Sequence, residues 1–399
     1  MRLKPDTFAL TVLMAMLSAL GPLSTDTYLA SLPFMAAELG VSGDRIQLTL
    51  SAYLIGFSLG QIVFGPISDK YGRKPVILFG LAVYLACSVV CAAADSVAVL
   101  IVARGLQAFA AAAPIILARA LVRDLYEGVR AARELSVMTS ISGLAPVIAP
   151  ILGGFLQVAF GWRSVFVAMT IGGLTLTALV AVLLPETIRI RQQGPLSFSS
   201  VFGSFRIVAR NRAFLTYVGI QAMAYTGLFC FISNSPFVLQ NIYGFSPVQF
   251  SFGFAMASVA FLSGTFVNRR LVPRIGLNGT IGVGTACLMA GGLAMMACIS
   301  IWPESPFAFV VPAMIYFHGI GLILPLAVAA AMAPFPERAG AASSLMGLLQ
   351  MSCAAIVGAF VGRMVATSAM PLSVTMAIVG TASFVIFQST RKFRRDPSH

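Results

Sequence analysis

Charge-free runs long enough to cross a lipid bilayer follow one another through this chain from end to end. A helix needs about 20 apolar residues to cross the hydrocarbon core, and in lipid each backbone N–H and C=O must be satisfied within the segment. Repeated runs of that length leave one solution, an all-α polytopic membrane protein. Twelve spans are read at roughly 6–37, 46–68, 75–94, 97–122, 134–159, 164–185, 213–241, 248–268, 279–301, 306–332, 339–362 and 369–388, each end set to within about four residues. Composition agrees, since only 10% of the residues are charged against about 25% in soluble domains. The first run follows MRLK in the manner of a signal peptide. It lacks a small-x-small cleavage site and eleven more spans follow it, so it is read as span 1. All six cysteines fall inside spans, so no external disulfide framework is expected.

The net charge of +13 would suit a nucleic-acid binder, but its distribution excludes that reading. Basic residues gather at Arg2 and Lys4, in the 70–74 turn, at 123–133, at 189–212, at 269–274, at Arg338 and at 391–395. The opposite loops hold only Arg45 and Arg163, with Arg363 at a helix end. That asymmetry is the positive-inside pattern and places both termini in the cytoplasm. The basic excess then faces anionic lipid.

The longest polar break, PETIRIRQQGPLSFSSVFGSFRIVARNR, separates six spans from six. The expected organisation is an N-terminal half at 1–185, a cytoplasmic linker at 186–212 and a C-terminal half at 213–399. The halves look alike. LPFMAAELGVS in the first answers to SPFVLQNIYGFS in the second, and FGPISDKYGRKP answers to SGTFVNRRLVPRIGLNG. In each of the latter pair a glycine precedes Asp69 or Asn268, then a basic cluster and another glycine. Internal repeats of this kind mark transporters whose substrate site lies between halves near mid-membrane.

Three polar features interrupt the apolar pattern. GPISDKYGRKP lies in the tight turn between spans 2 and 3. There Gly65 and Gly72 permit close approach, Asp69 can accept from Arg73 one turn on, and Lys74 adds a second cation. Span 4 carries Arg104 about two turns inside its outer end, with Gln107, Ala108 and Ala111 on the same face; a guanidinium at that depth should face protein or a wet cavity. Span 1 carries Asp26, with no other charge between Thr7 and Glu38. A carboxylate there costs several kcal/mol unless something pairs with it. Arg104 lies at a compatible depth, so a direct or water-bridged pair is expected, with Pro22 and Pro33 as bending points of an overlong span. Span 5 adds Pro146, Pro150, Gly153 and Gly154, which loosen a helix and let a neighbour approach. Tyr28, Gln107, Tyr225, Phe229 and His318 are candidate cavity residues, His318 being the only intramembrane histidine, expected to bond to a neighbouring helix.

These stretches resemble the signatures of one family. GPISDKYGRK resembles the loop motif G-x-x-x-D-[RK]-x-G-R-[RK] of the major facilitator superfamily, where the aspartate and arginine form a cytoplasmic latch. ARGLQA resembles the R-x-x-Q-G motif of its proton-coupled drug exporters, with Ala108 in place of glycine. SGLAPVIAPILGG resembles the antiporter motif G-x-x-x-G-P-x-x-G-G, with Ala145 and Ala149 departing from it. STDTYLASLP resembles the [ST]-x-D-x-Y-L-P-x-x-P stretch of the Bcr/CflA subfamily of bicyclomycin and chloramphenicol resistance exporters, with Ala30 in place of proline. The resemblance extends to QLTLSAYLIGFSLGQIVFGPISDKYGRKP, ARALVRDLY and PERAGAASSLMG, nearly the full chain. It implies the major facilitator fold, with two pseudo-symmetric six-helix halves. It further implies proton-driven antiport of small drugs across the inner membrane, with Asp26 and Arg104 at the coupling site. The partners it implies are a small-molecule substrate, protons and lipid, the protein acting as a monomer. An exporter or facilitator of a sugar or amino-acid derivative, and a transporter-like sensor, are the alternatives on the same fold. No catalytic constellation, metal-ligand spacing or Walker loop is present in the sequence, so neither an enzyme, a metal site, a cofactor nor ATP drive is expected.

Overall fold

The computed structural model describes residues 7–188, 205–335, 338–365 and 368–394. Most of the expected linker, 189–204, lies outside the described residues, as do Arg2, Lys4, Arg395 and the Pro336–Glu337 pair of the PERAG stretch. Eleven helical runs among the described residues are long and apolar enough to cross a membrane. One of them, Pro247–Ile301, is two helices, because Gly276 (φ 72°, ψ 172°) breaks it. The twelve expected spans are therefore present.

Span 1 comprises Phe8–Asp26 and Leu32–Glu38, joined by a short 3₁₀ turn at Leu29–Ser31. Spans 2, 3 and 4 are Gly43–Tyr71, Arg73–Ala92 and Val97–Leu125. Span 5 is also broken, into Gly128–Ser142 and Ala145–Phe160, and span 6 is Arg163–Leu183. Span 7, Arg212–Phe237, winds into a single π turn at Val238–Ile242. Spans 8 and 9 flank Gly276, and spans 10, 11 and 12 are Phe307–Met332, Ala339–Gly362 and Met370–Ser389. The chain divides into two compact units, Met1–Ser197 and Phe198–His399.

Two glycines with left-handed backbone carry the internal repeat into three dimensions. Gly72 (φ 103°) separates span 2 from span 3, and Gly276 separates span 8 from span 9. Both chain reversals demand a positive φ that a side chain resists. In each unit the turn follows the aligned polar residue, Asp69 or Asn268.

Membrane residence also explains which side chains stay outside. Phe155, Val158, Ile171, Phe266, Ile356 and Phe360 are exposed on helix surfaces, where a soluble bundle would carry charge. Inside the first unit, Ala110–Ala113 of span 4 are all buried, a small-residue strip that lets helix backbones pack closely. The second unit is filled by rings: Phe231 stacks on Phe309 at 5.3 Å and meets Phe317 edge-on at 4.9 Å. Phe254 completes this cluster, with Phe250 buried one turn away on the same helix.

Candidate substrate-coupling site

The break in span 1 falls at Thr27–Tyr28, between the two prolines that were the expected bends. Pro22 is carried inside the first helix and Pro33 sits in the opening turn of the second. A helix end leaves its last four carbonyls without intrahelical partners. Here the Thr27 hydroxyl donates to Leu23 O (2.5 Å) and Ser24 O is taken by Arg104, while the Ser24 hydroxyl donates back within the helix to Leu20 O (2.6 Å).

Arg104 is fully buried and surrounded. Its Nη2 donates to Ser24 O at 2.9 Å and its Nη1 to Gln107 Oε1 at 2.6 Å. Its Cζ lies 4.3 Å from the ring centroids of both Tyr28 and Tyr53, so the guanidinium rests between two aromatic faces. Gln107 Nε2 in turn donates to Ser88 Oγ (2.7 Å), and Tyr84 Oη meets Ser24 Oγ (2.8 Å), which closes a polar network across spans 1, 3 and 4. The buried cation is held by the negative end of a helix and by two ring quadrupoles. No direct ion pair joins it to Asp26 among the described residues, contrary to the direct-pair expectation. The physical reason is local. The broken helix offers Arg104 a carbonyl at the right height, and the tyrosines cover its faces.

Asp26 is the last residue of the first helix and is 5% exposed. Its Oδ1 accepts from Thr25 Oγ1 at 2.8 Å. Across the break lies span 5. A Cβ on Gly153 would fall inside the van der Waals envelope of Thr27 O, so only glycine allows this helix to lie on the opened backbone. Pro146 and Ala145 open the second segment of span 5, and Pro150 lies one turn further in. Gly154 is buried on the same helix. At the other end of span 1, Thr11 donates to Glu134 Oε2 of span 5 at 2.7 Å.

At the opposite end of spans 2 and 3, Arg73 gathers the turn. Its Nη1 donates to Asp69 Oδ1 and to Ser68 Oγ, both at 2.6 Å, and its Nε donates to Asp124 Oδ2 at 3.0 Å. Glu186 caps the first helical N–H groups of span 3, accepting from Arg73 N at 3.0 Å and Lys74 N at 3.2 Å. Lys74 Nζ reaches Ala181 O (2.7 Å). A Cβ at Gly72 would meet Glu186 Oε2 at 2.5 Å, so that glycine serves both the backbone and the carboxylate. Gly65 does not make the expected close approach, since nothing lies within 4 Å of a Cβ built there.

Of the five candidate cavity residues, Tyr28 and Gln107 belong to the first unit and Tyr225, Phe229 and His318 to the second. Tyr28 and Gln107 are fully enclosed in the Arg104 network. Phe229, 3% exposed, packs on Gly358 of span 11. Tyr225 is half-buried, and His318 Nδ1 lies 2.8 Å from Ser263 Oγ, a bond from span 10 to span 8. Asp124, Glu186, Tyr53 and Tyr84 carry contacts that the sequence reading gave to no one. The first two stand in stretches whose charge was read only as topology, and a tyrosine in an apolar run does not announce its partner.

Twelve spans, two repeated units and the Gly72 turn with its Asp69–Arg73 contact are joined by a match of residues 13–358 to the family model described as Major Facilitator Superfamily. The chain belongs to the major facilitator superfamily. This transporter is 33% identical over 385 residues, 95% of each chain, to an uncharacterised MFS-type transporter of Bacillus subtilis. It is 31% identical over 381 residues, 94% of each chain, to a bicyclomycin resistance protein homolog of Haemophilus influenzae. The subfamily resemblance read from the sequence therefore holds. The fold matches the crystal structure of a D-xylose-proton symporter with a TM-score of 0.78 over 98% of both chains, at 14% identity. The protein is a multi-pass membrane transporter and not an enzyme.

Proposed function

We propose that this transporter exports small, mostly apolar drugs of the bicyclomycin or chloramphenicol type from the cytoplasm across the inner membrane, in exchange for protons. It acts as a monomer with both termini cytoplasmic. The kinship with resistance proteins supports the substrate class. The observation that carries proton exchange is Asp26, a carboxylate buried at a break in a membrane span, with a threonine donor and, among the described residues, no cation in ion-pair contact. Charging such a group is costly in hydrocarbon. Whatever fills the space beside it therefore changes whether it holds a proton, and substrate and proton exclude one another without a long relay. Arg104 keeps the broken helix end in place through Ser24 O, two residues before the carboxylate. The Asp69–Arg73–Asp124 cluster, with Glu186, serves as a latch at the cytoplasmic ends of spans 2, 3, 4 and 6. The functional division remains 1–185, 186–212 and 213–399.

The test is proton-gradient-driven efflux in everted vesicles from cells making Asp26→Asn protein at wild-type levels. The amide mimics a protonated acid, so the variant binds compound and fails to move it against a gradient. Undiminished efflux removes Asp26 from the coupling site.

A further inference from the structure

The second unit holds a cavity of about 420 Å³ outside the regions discussed above, lined by Asn278, Gly279, Phe387, Gln388, Arg391 and Arg394. It lies where span 12 ends at Ser389 and where span 9 begins after Gly276, so it opens at the level where hydrocarbon gives way to lipid head groups. Its volume is within the roughly 300–1,000 Å³ of small-ligand sites. Its chemistry is one-sided. Among the described residues no carboxylate forms an ion pair with Arg391 or Arg394, and the remaining polar walls are amides. Asn278 Oδ1 is already engaged by Tyr217 Oη at 2.7 Å, which leaves its amide nitrogen as the donor.

Arg391 is exposed at the mouth of the pocket, whereas Arg394 is half-buried and fixed in place. Arg394 Cζ lies 3.4 Å from the centroid of the Phe387 ring, and its Nη2 donates to Phe387 O at 2.7 Å. Its Nε is buried without a hydrogen-bond partner among the described residues. Burial holds the Arg394 guanidinium below the ordinary arginine value, against the opposing pull of Tyr217 and with a smaller contribution from the charge of Arg391. Close by, Arg212 rests over the Phe393 ring at 5.1 Å. A half-buried guanidinium beside an exposed one, with no carboxylate paired to either among the described residues, is stabilised by any anion that brings several acceptor oxygens, and guanidinium forks match phosphate geometry.

We infer that this pocket binds a phosphate-bearing anion at the membrane surface, the head group of an anionic phospholipid or a free phosphate, with Arg391 and Arg394 as the charge ligands and Asn278 and Gln388 as amide donors. Basic pockets beside transmembrane helices at this level are the physical pattern of anionic-lipid sites. An occupant would tie the end of span 12 to the start of span 9.

Native mass spectrometry of the full chain in detergent tests this with phosphatidylglycerol, diacylglycerol and inorganic phosphate as probes. Phosphatidylglycerol should bind above background and diacylglycerol with the same chains should not. The double variant Arg391→Gln/Arg394→Gln should weaken phosphatidylglycerol binding by about tenfold or more, since charge-assisted hydrogen bonds are lost. The charge-matched control Arg269→Gln/Arg270→Gln should bind as wild type does. Phosphatidylglycerol retained in millimolar inorganic phosphate identifies the ligand as lipid, and displacement identifies it as free phosphate. Equal binding of phosphatidylglycerol and diacylglycerol to the wild type overturns the inference, a comparison independent of whether the variant folds. Wild-type affinity in the folded double variant overturns it equally.

Discussion

Gly153→Ala offers the sharpest test of the break in span 1. The added methyl would overlap a backbone carbonyl oxygen, Thr27 O, with the Thr27 carbonyl carbon and Cα just behind it. No rotamer change relieves a clash with main chain, so span 5 must move away from the opened turn or the turn must close. Overpacking of this kind costs about 1–3 kcal/mol, and a backbone obstacle puts it at the upper end. Replacing glycine within a helix returns about 1 kcal/mol through conformational entropy. The net is a loss of about 2 kcal/mol, a drop of roughly 4–8 °C in a unit of this size. Gly172→Ala in span 6 is the control, because nothing lies within 4 Å of its Cβ; it receives the helix benefit alone and should match or exceed wild type. Thermal unfolding in detergent, followed by tryptophan fluorescence, reads both. Efflux by Gly153→Ala should fall with the shift, since the altered contact adjoins Asp26. If Gly153→Ala melts with Gly172→Ala and transports normally, span 5 does not rest on Thr27.

Three more outcomes follow from the contacts. Arg104→Lys keeps the charge but loses the two-pronged donation to Ser24 O and Gln107 and the seat between Tyr28 and Tyr53; it should lose about 2–4 kcal/mol of stability and most efflux in the same assays. Asp124→Asn should impair transport more than Asp69→Asn, because the Asp124 side chain is 22% exposed against 47% for Asp69 and an exposed i,i+4 pair gives only about 0.3–0.5 kcal/mol; equal, wild-type turnover in both correctly inserted variants would remove the latch role. For topology, a cysteine at exposed Ser42 should react with an impermeant maleimide in intact cells and one at exposed Arg210 should not. The reverse pattern inverts the orientation.

The sequence alone determined that the chain is a twelve-span helical bundle with a repeated half, because span length and charge placement answer to the bilayer and not to neighbours. It also marked Asp26, Arg104 and the Asp69–Arg73 turn, since a charge in an apolar run is costly wherever the chain puts it. It did not determine what those charges touch. Whether Arg104 meets Asp26 or Ser24 O depends on where span 1 unwinds, and that in turn depends on span 5 resting Gly153 on Thr27, more than a hundred residues away. The same holds for Tyr53, Asp124 and Glu186. Each reads as an ordinary membrane or loop residue until packing brings it to Arg104 or Arg73. Hydropathy is a property of a segment, whereas a partner is a property of two segments, and only the packed units decide which two.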